Sequence, residues 1–246
     1  MQITFLGTNG WYATHTGSTT CVLAETEDFY LILDAGSGFY KLERLITDPK
    51  KPVFLFLSHL HLDHIDGLQV LSKFRWPQGL TVLVGKGMRK ELKQFMRTPF
   101  MPDLDRQKTK VTILEPNQYA KTGLPVTVLP LAHTVLTLGL RLNYRGTVLA
   151  YAVDTGYCDN LIALAHNADL LITESSLPPD ATESPVHMTP RQAARAAAEA
   201  DAKTLALIHF KADTYPDFED RDHALVAAGR IFPNTGAPYD GDRIQL

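Results

Sequence analysis

The sequence predicts an α/β fold for this chain of 246 residues. Short apolar runs alternate with amphipathic stretches along its whole length, as expected for buried strands separated by helices. The apolar runs also end, one after another, on residues that can bind metal or move protons. Because no repeat, low-complexity tract or linker interrupts this pattern, we predict one domain over residues 1–246.

Nine apolar runs predict buried strands, namely Ile3–Leu6, Thr20–Ala24, Phe29–Leu33, Val53–Leu57, Thr81–Val84, Val126–Leu131, Thr147–Val153, Asp169–Thr173 and Thr204–Ile208. Five stretches have helical spacing, namely Gly38–Ile46, Gly87–Arg97, Cys158–Asn167, Pro190–Ala200 and Glu219–Arg230. The apolar residues Phe95, Met96, Phe100 and Met101 near two prolines predict either a lid loop or a satellite core beneath a loop.

The composition is that of an ordinary globular enzyme, with 45% hydrophobic and 21% charged residues. The formal net charge of −3 gives no global reason to expect nucleic acid. Cys21 and Cys158 are far apart and form no CxxC pair, which suits a reducing compartment. The first residues lack the basic and apolar regions of a signal peptide, and no apolar run is long enough to span a membrane. We therefore expect a cytoplasmic protein that does not enter membranes.

One local excess of positive charge departs from that average. The segment Lys86–Lys110 contains eight basic and three acidic residues, a formal charge of +5, so the remainder of the chain carries −8. One interpretation is a solvated helix face. The other is a basic rim that attracts a phosphate-bearing substrate.

The strand ends provide the first functional prediction. In α/β sheets, sites gather at the carboxyl ends of strands, so residues that directly follow strands are expected to lie along one edge. The six residues at these ends are Asp34, His59, His133, Asp154, Glu174 and His209.

The most diagnostic segment is Ser58-His59-Leu60-His61-Leu62-Asp63-His64, directly after a predicted strand. His59 and His61 are two residues apart, so in extended backbone they point to the same side and can bind one ion. Asp63 and His64 follow as the chain turns and can serve a second ion. Neutral imidazoles and carboxylates suit zinc, manganese or iron.

This segment resembles the HxHxDH signature of the metallo-β-lactamase fold hydrolases, and the resemblance extends from Phe5-Leu6-Gly7-Thr8 to His209. It implies a four-layer αβ/βα sandwich and two divalent ions, zinc first, with manganese or iron as alternatives. The implied ligands are His59, His61 and His133 for one ion, Asp63, His64 and His209 for the other, and Asp154 as the bridge. Asp34 matches an Asp that supports the ligands, although a turn-forming Asp before glycine is the alternative.

The segment between Glu174 and His209 resembles the ribonuclease Z group and related cyclic phosphodiesterases, in which a histidine precedes an Ala-rich helix. Here that histidine is His187, and Thr189-Pro190-Arg191-Gln192 has the pattern of a capping box at the start of the helix. The resemblance implies that His187 assists the scissile phosphate and that Glu174 supports it. The predicted catalytic residues are therefore Asp63, His187 and Glu174.

The resemblance favours a phosphodiesterase acting on a small, cyclic or nucleotide-like diester through a bridging hydroxide. The alternatives are an acyl hydrolase, such as a lactonase or thioesterase, a tRNA 3′-end ribonuclease, and a protein whose metal site only binds or stabilises. Ribonucleases of this group carry a tRNA-gripping arm between the third His and the bridging Asp. Here a short hairpin, Val135–Asn143 and Arg145–Val153, occupies that place, which argues against whole tRNA. The expected partner is a small anionic substrate, with nucleic acid and a homodimer left open.

Overall fold

The computed structural model describes residues 1–246 and divides them into two compact units. Unit 1 comprises Met1–Gly7, Ser18–Gly123 and Asp240–Gln245, and unit 2 comprises Thr8–Gly17, Leu124–Tyr239 and Leu246. Each unit is built on one large β-sheet with its own helices. None of the helices combines the length and the apolar character needed to cross a membrane. The single domain stays a prediction.

The strands are β1 (Gln2–Gly7), β2 (Asn9–Gly10), β3 (Cys21–Glu25), β4 (Tyr30–Leu33), β5 (Val53–Phe56), β6 (Leu80–Leu83), β7 (Val111–Leu114), β8 (Val126–Leu131), β9 (Thr137–Tyr144), β10 (Thr147–Ala152), β11 (Leu170–Glu174), β12 (Leu205–Ile208), β13 (Phe210–Lys211), β14 (Thr235–Gly236) and β15 (Arg243–Gln245). The α-helices are α1 (Leu62–Ile65), α2 (Met88–Phe95), α3 (Asp159–Ala165), α4 (Pro190–Glu199) and α5 (Phe218–Gly229). Four 3-10 helices cover Ser37–Arg44, Asp66–Lys73, Leu104–Arg106 and Pro116–Thr122.

The seven-stranded sheet of unit 1 has the order β15-β1-β3-β4-β5-β6-β7. Strands β4 to β7 are parallel to one another, so their carboxyl ends share one edge of the sheet. That edge carries Asp34 after β4 and the HxHxDH segment after β5. Strands β4 and β5 are fully buried apolar runs, as expected when both faces of a parallel sheet are covered, whereas β7 is largely half-exposed.

The six-stranded sheet of unit 2 has the order β14-β12-β11-β10-β9-β8. Strands β10, β11 and β12 are parallel, and β8 runs in the same direction because two antiparallel pairings separate it from β10. The carboxyl ends of these four strands therefore lie at one edge. His133, Asp154, Glu174 and His209 come from those ends.

Helix α4 shows how local sequence fixes an element that borders this edge. Thr189 is the N-cap: its hydroxyl accepts from the Gln192 backbone N–H, while the Gln192 side chain accepts from the Thr189 N–H. The predicted capping box is therefore confirmed, and Pro190 occupies the first helical position, where no N–H is needed. The alanines of the inner face are fully buried, so the helix packs closely in the unit 2 core.

The nine predicted strands are all present, each within one residue of its predicted ends. The predicted hairpin also forms as β9 and β10, joined by Arg145 and Gly146, whose φ angles of 51° and 85° are those of a tight hairpin turn. The first predicted helix is a 3-10 helix, Ser37–Arg44. Of the apolar residues predicted as a lid or satellite core, Met96 and Met101 belong to the core of unit 1, whereas Phe100 is 71% exposed.

Candidate metal-ligand clusters of the two units

Asp34 organises the HxHxDH segment of unit 1. It is fully buried directly after β4, and its carboxylate accepts hydrogen bonds from the Ser58 backbone N–H at 2.7 Å and from the Ser58 hydroxyl at 2.8 Å. The same carboxylate lies 2.8 Å from Nδ1 of His64. The Ser58 hydroxyl in turn lies 2.9 Å from Nδ1 of His59. Asp34 therefore fixes both rings through their Nδ1 atoms, which leaves Nε2 of each ring as the metal-binding nitrogen.

The backbone of the HxHxDH segment presents its side chains from two conformations. His61 is extended, with φ −63° and ψ 148°, and α1 begins at the next residue, so Asp63 and His64 project from a helical turn. The ring centroid of His59 lies 4.5 Å from that of His61 and 4.2 Å from that of His64. The predicted change from extended chain to turn between the two ligand pairs is confirmed.

A glycine allows the Asp34 turn to pack directly against this segment. A β-carbon on Gly36 would lie 2.4 Å from the Asp63 carbonyl oxygen, which is far inside van der Waals contact. Two backbone hydrogen bonds lock the approach, from Ala35 N–H to the His64 carbonyl and from Gly67 N–H to the Ala35 carbonyl. The sequence Asp34-Ala35-Gly36 is thus required by packing as well as by the carboxylate.

Asp154 is the centre of the unit 2 cluster. Its carboxylate lies 3.0 Å from Nδ1 of His209 and 3.6 Å from Nε2 of His133. Nδ1 of His133 donates to the Val186 carbonyl at 3.1 Å, which leaves Nε2 of that ring for a metal. The Ser176 hydroxyl contacts the His209 ring at 3.0 Å and donates to the His209 carbonyl.

Three residues at these strand ends have left-handed backbone. The φ angles of Asp34, Asp154 and His209 are 58°, 58° and 53°. Residues other than glycine rarely adopt this region of backbone conformation. Each follows a strand and turns the chain sharply, so its side chain is presented at the carboxyl edge of its sheet. Non-glycine residues persist in this region only where the surrounding contacts hold them.

Glu174 joins three segments of unit 2. It is fully buried at the end of β11, and Oε1 accepts from the Thr155 backbone N–H at 2.7 Å while Oε2 accepts from the N–H groups of Ser176 and Met188. Nδ1 of His187 lies 2.9 Å from Oε1. A single carboxylate therefore fixes the chain after Asp154, the chain before α4 and the orientation of His187.

His187 differs from the other histidines of the cluster because its side chain is 28% exposed. Burial lowers its pKa, but the hydrogen bond and negative charge of Glu174, together with the charge of Asp154, outweigh that effect and raise the pKa above its usual value. With Nδ1 held by Glu174, Nε2 is the nitrogen left to reach a substrate.

The donor chemistry fits divalent ions. Imidazole nitrogens and carboxylate oxygens are the ligands that zinc, manganese and iron accept. In unit 1, ligand atoms lie within 4.8 Å of one another in two pairs, His59 with His61 and Asp63 with His64. In unit 2, the same holds for His133 with Asp154, and for Asp154 with Glu174 and His187.

The structure thus brings the predicted residues of each unit together at the edge of that unit's sheet. Sequence patterns predict no role for Ser176, or for Ser58 as the link between Asp34 and His59. Both serines adjoin residues that were singled out, and their position beside strand ends is the only signal that could have found them. Three further histidines lie on the exposed surface outside these clusters, namely His15, His166 and His223.

Comparison with known proteins identifies the family. The family described as "Beta-lactamase superfamily domain" matches residues 30–210. The chain is 26% identical over 242 residues to "Probable metallo-hydrolase YhfI" of Bacillus subtilis, covering 94% of each chain. The crystal structure of YhfI superposes with a TM-score of 0.81 at 25% identity, covering 99% of this chain and 98% of YhfI. A ribonuclease Z of Ignicoccus hospitalis is 26% identical over 278 residues, covering 90% of each.

The predicted fold is therefore confirmed. The family match covers most of the chain and includes the HxHxDH segment, Asp154 and His209. The likeness to YhfI extends over nearly the whole length of both chains. This chain belongs to the metallo-β-lactamase superfamily of hydrolases.

Proposed function

We propose that this chain is a phosphodiesterase that hydrolyses small, nucleotide-like diesters with two divalent ions, of which zinc is the preferred candidate. The ions would be held by the ligands that the HxHxDH resemblance implies. Two of the comparisons are consistent with it, since one relative is described as a metallo-hydrolase and another as a ribonuclease Z.

The observation that carries the proposal is the pairing of His187 with Glu174. Hydrolysis of a phosphodiester releases an alkoxide, which needs a proton, whereas the acyl-hydrolase alternative gives no role to a histidine at this position. His187 is partly exposed, is oriented through Nδ1 at 2.9 Å, and has a raised pKa, so the imidazolium is favoured. A proton carried on Nε2 is available for a leaving oxygen.

The other residues of this chain act by orienting ligands and holding charge. Asp34 keeps His59 and His64 in one ring orientation, directly or through Ser58, so that their Nε2 atoms are preorganised. Asp63 is the carboxylate proposed to orient the attacking water as well as to bind metal. When bound, divalent ions in such a site activate a water molecule as nucleophile and neutralise charge that develops on the phosphoryl oxygens.

The connection between His133 and Asp154 disfavours a tRNA 3′-end ribonuclease. It consists of a short loop, β9, a two-residue turn and β10, with no inserted segment. The resemblance places the tRNA-gripping arm of ribonucleases there, so the proposed substrate is smaller than a folded tRNA.

The test compares wild type with His187→Ala on two diesters after metal reconstitution. Bis(p-nitrophenyl) phosphate releases a weakly basic phenolate, and a dinucleoside monophosphate releases an alkoxide. A general acid contributes roughly 10²- to 10⁴-fold and matters more for the more basic leaving group. We therefore expect kcat to fall by about 10²-fold or more on the dinucleotide and by less on the nitrophenyl ester.

The matched control is His223→Ala, which removes an exposed histidine from the same unit. It should leave both activities and the metal content at wild-type values. A chelator-treated sample should be inactive. Phosphodiester turnover that survives in His187→Ala at the wild-type rate would contradict the role of His187. Metal-dependent turnover of lactones or thioesters, with no phosphodiester turnover, would favour the acyl hydrolase.

A further inference from the structure

A surface groove of unit 1 carries a concentration of positive charge that the proposed chemistry does not use. The groove has a volume of about 750 Å³ and is formed along α2 and the chain after it. Its lining residues are Gly87, Arg89, Lys90, Lys93, Gln94, Arg97 and Glu115. We call it the α2 groove.

The cations of the α2 groove have no carboxylate partners. Lys90, Lys93 and Arg97 are exposed and form no ion pair. Elsewhere on this chain several lysines do pair with carboxylates, namely Lys41 with Asp240, Lys73 with Glu43, and Lys203 with Asp169. The one acidic residue of the groove, Glu115, accepts a hydrogen bond from the Gly87 backbone N–H and caps the 3-10 helix that follows it. The net charge facing the groove is therefore positive.

The cations also form a row. Lys90 and Lys93 are three residues apart on α2, so they lie on one face of the helix about one turn apart. Arg97 follows two residues after the end of α2 and lines the same groove. A single nucleic-acid strand presents a comparable row, because it carries one negative charge per nucleotide. Phe100 is exposed and follows Arg97 closely in the chain, and its backbone N–H donates to the Arg97 carbonyl. A basic track beside an exposed aromatic ring is the arrangement that binds single strands by phosphate contact and base stacking.

The position of the α2 groove relates it to the metal ligands of the same sheet. Phe56 pairs with Leu83 and Leu83 with Leu114, so the parallel strands β5, β6 and β7 end in register. The HxHxDH segment follows β5, Gly87 follows β6, and Glu115 follows β7. Neighbouring strands are about 4.8 Å apart, so the groove begins roughly 5 to 10 Å along the edge from the exit of β5. A strand of a few nucleotides can cover that distance.

We propose that the α2 groove binds the backbone of a single-stranded oligonucleotide, with one base stacked on Phe100. Binding of the strand in the groove does not depend on the proposed phosphodiesterase activity. Only the statement that the bound strand is the substrate rests on that proposed function. The alternative is a solvated helix face with no ligand. In that case, removing these cations would change oligonucleotide binding no more than removing other exposed cations.

The experiment measures binding of a fluorescein-labelled oligo(dT) dodecamer to the metal-reconstituted protein by fluorescence anisotropy, over a series of salt concentrations. A gel confirms that the dodecamer stays intact. The groove variant is Lys90→Ala/Lys93→Ala/Arg97→Ala. The control is Lys50→Ala/Lys121→Ala/Arg230→Ala, which removes three exposed cations elsewhere. Both variants change the formal net charge from −3 to −6.

We expect the groove variant to bind at least tenfold more weakly, and the slope of log K against log salt to decrease by about 2, since each lost phosphate contact removes about 0.7. The control should stay within twofold of wild type. Phe100→Ala should weaken binding of the single strand about fivefold or more, and binding of a duplex of the same length by less. Equal losses in the two triple variants, or no binding of the dodecamer at low salt, overturn the proposal.

Hydrolysis distinguishes this proposal from the proposed function. If the groove variant loses at least tenfold more activity on the dodecamer than on bis(p-nitrophenyl) phosphate, the groove is a substrate contact. If neither compound is hydrolysed while the dodecamer binds through the groove, the proposed function fails and the groove is supported as a nucleic-acid surface. If the small ester is hydrolysed but the dodecamer does not bind, the groove proposal alone fails.

Discussion

Gly10 packs against the imidazole of His209 so closely that a β-carbon at position 10 would lie 2.5 Å from Cε1 and 2.6 Å from Nδ1 of that ring. Strand β2 holds Gly10 there by pairing with β13, which begins directly after His209. Ser176 and Asp154 contact the ring from other directions. The absence of a side chain at Gly10 therefore sets the position of a candidate metal ligand.

Gly10→Ala should displace the His209 ring, because the added methyl group cannot fit beside it. Since contacts that orient a ligand contribute about 10- to 100-fold in metal affinity, we expect zinc to bind at least tenfold more weakly in competition with a chromogenic chelator. Gly229→Ala is the matched control, as a β-carbon there meets nothing within 4 Å. Wild-type zinc affinity in Gly10→Ala would show that His209 tolerates the shift or does not bind metal.

Arg221 should stabilise the segment Thr8–Gly17 that contains Gly10. It is fully buried on α5, its guanidinium donates to the side chains of Thr8, Asn9 and Thr16, and it lies 4.8 Å from the Phe210 ring centroid. Arg221→Met leaves those acceptors without this donor, and we expect the free energy of unfolding to fall by about 3 kcal/mol. Urea denaturation measures the change, with the exposed Arg230→Ala as control. A loss below about 1 kcal/mol would contradict this anchoring role.

Asp34→Asn tests whether the buried carboxylate preorganises the HxHxDH rings. An amide has one acceptor oxygen, and its NH₂ group cannot accept from Ser58 or His64. We expect zinc affinity to fall by roughly 10- to 100-fold. Asp48→Asn is the control, because Asp48 is exposed and its carboxylate accepts a local hydrogen bond from the Lys50 backbone N–H. Unchanged affinity in Asp34→Asn would assign the aspartate to the turn alone.

Glu174→Gln should uncouple His187 from its support. The glutamine NH₂ faces backbone N–H donors that the carboxylate accepts, so we expect the free energy of unfolding to fall by about 1 to 3 kcal/mol. On the dinucleotide, kcat should fall toward that of His187→Ala, and the double variant should lose little more than the worse single variant. Glu199→Gln, on the exposed surface, is the control. Additive losses in the double variant would show that the two residues act independently.

The fold was predictable where local pattern and tertiary environment agree. Buried parallel strands such as β5 and β11 are continuous apolar runs, so their ends could be located to within one residue. The two-residue strands β2 and β13 exist only because they pair with each other, and β15 forms because it pairs with β1. Such strands have too few residues to produce a periodic pattern. Strand β7 was also missed, because its ends are half-exposed and it does not form a continuous buried apolar run.

The candidate site was predictable in its ligand types and less so in their supports. Metal chemistry restricts ligands to a few residue types, so His59, Asp154 and His209 stand out beside strand ends. Serine is common at turns and has no spacing rule, so the contact of Ser176 with His209 required the folded structure. The role of Gly10 also depends on a residue that is distant in sequence.

At Asp34, Asp154 and His209, the left-handed backbone lowers the stability of the fold, whereas the side chain is needed for the chemistry of the site. Glycine would relax each turn, by an amount on the order of 1 kcal/mol, and would remove the functional side chain in the same substitution. Among variants at these positions, glycine should therefore melt at higher temperature than alanine while both are inactive. A laboratory selection for heat resistance alone would drive the chain toward glycine there, and only a simultaneous demand for turnover would keep the side chains in place.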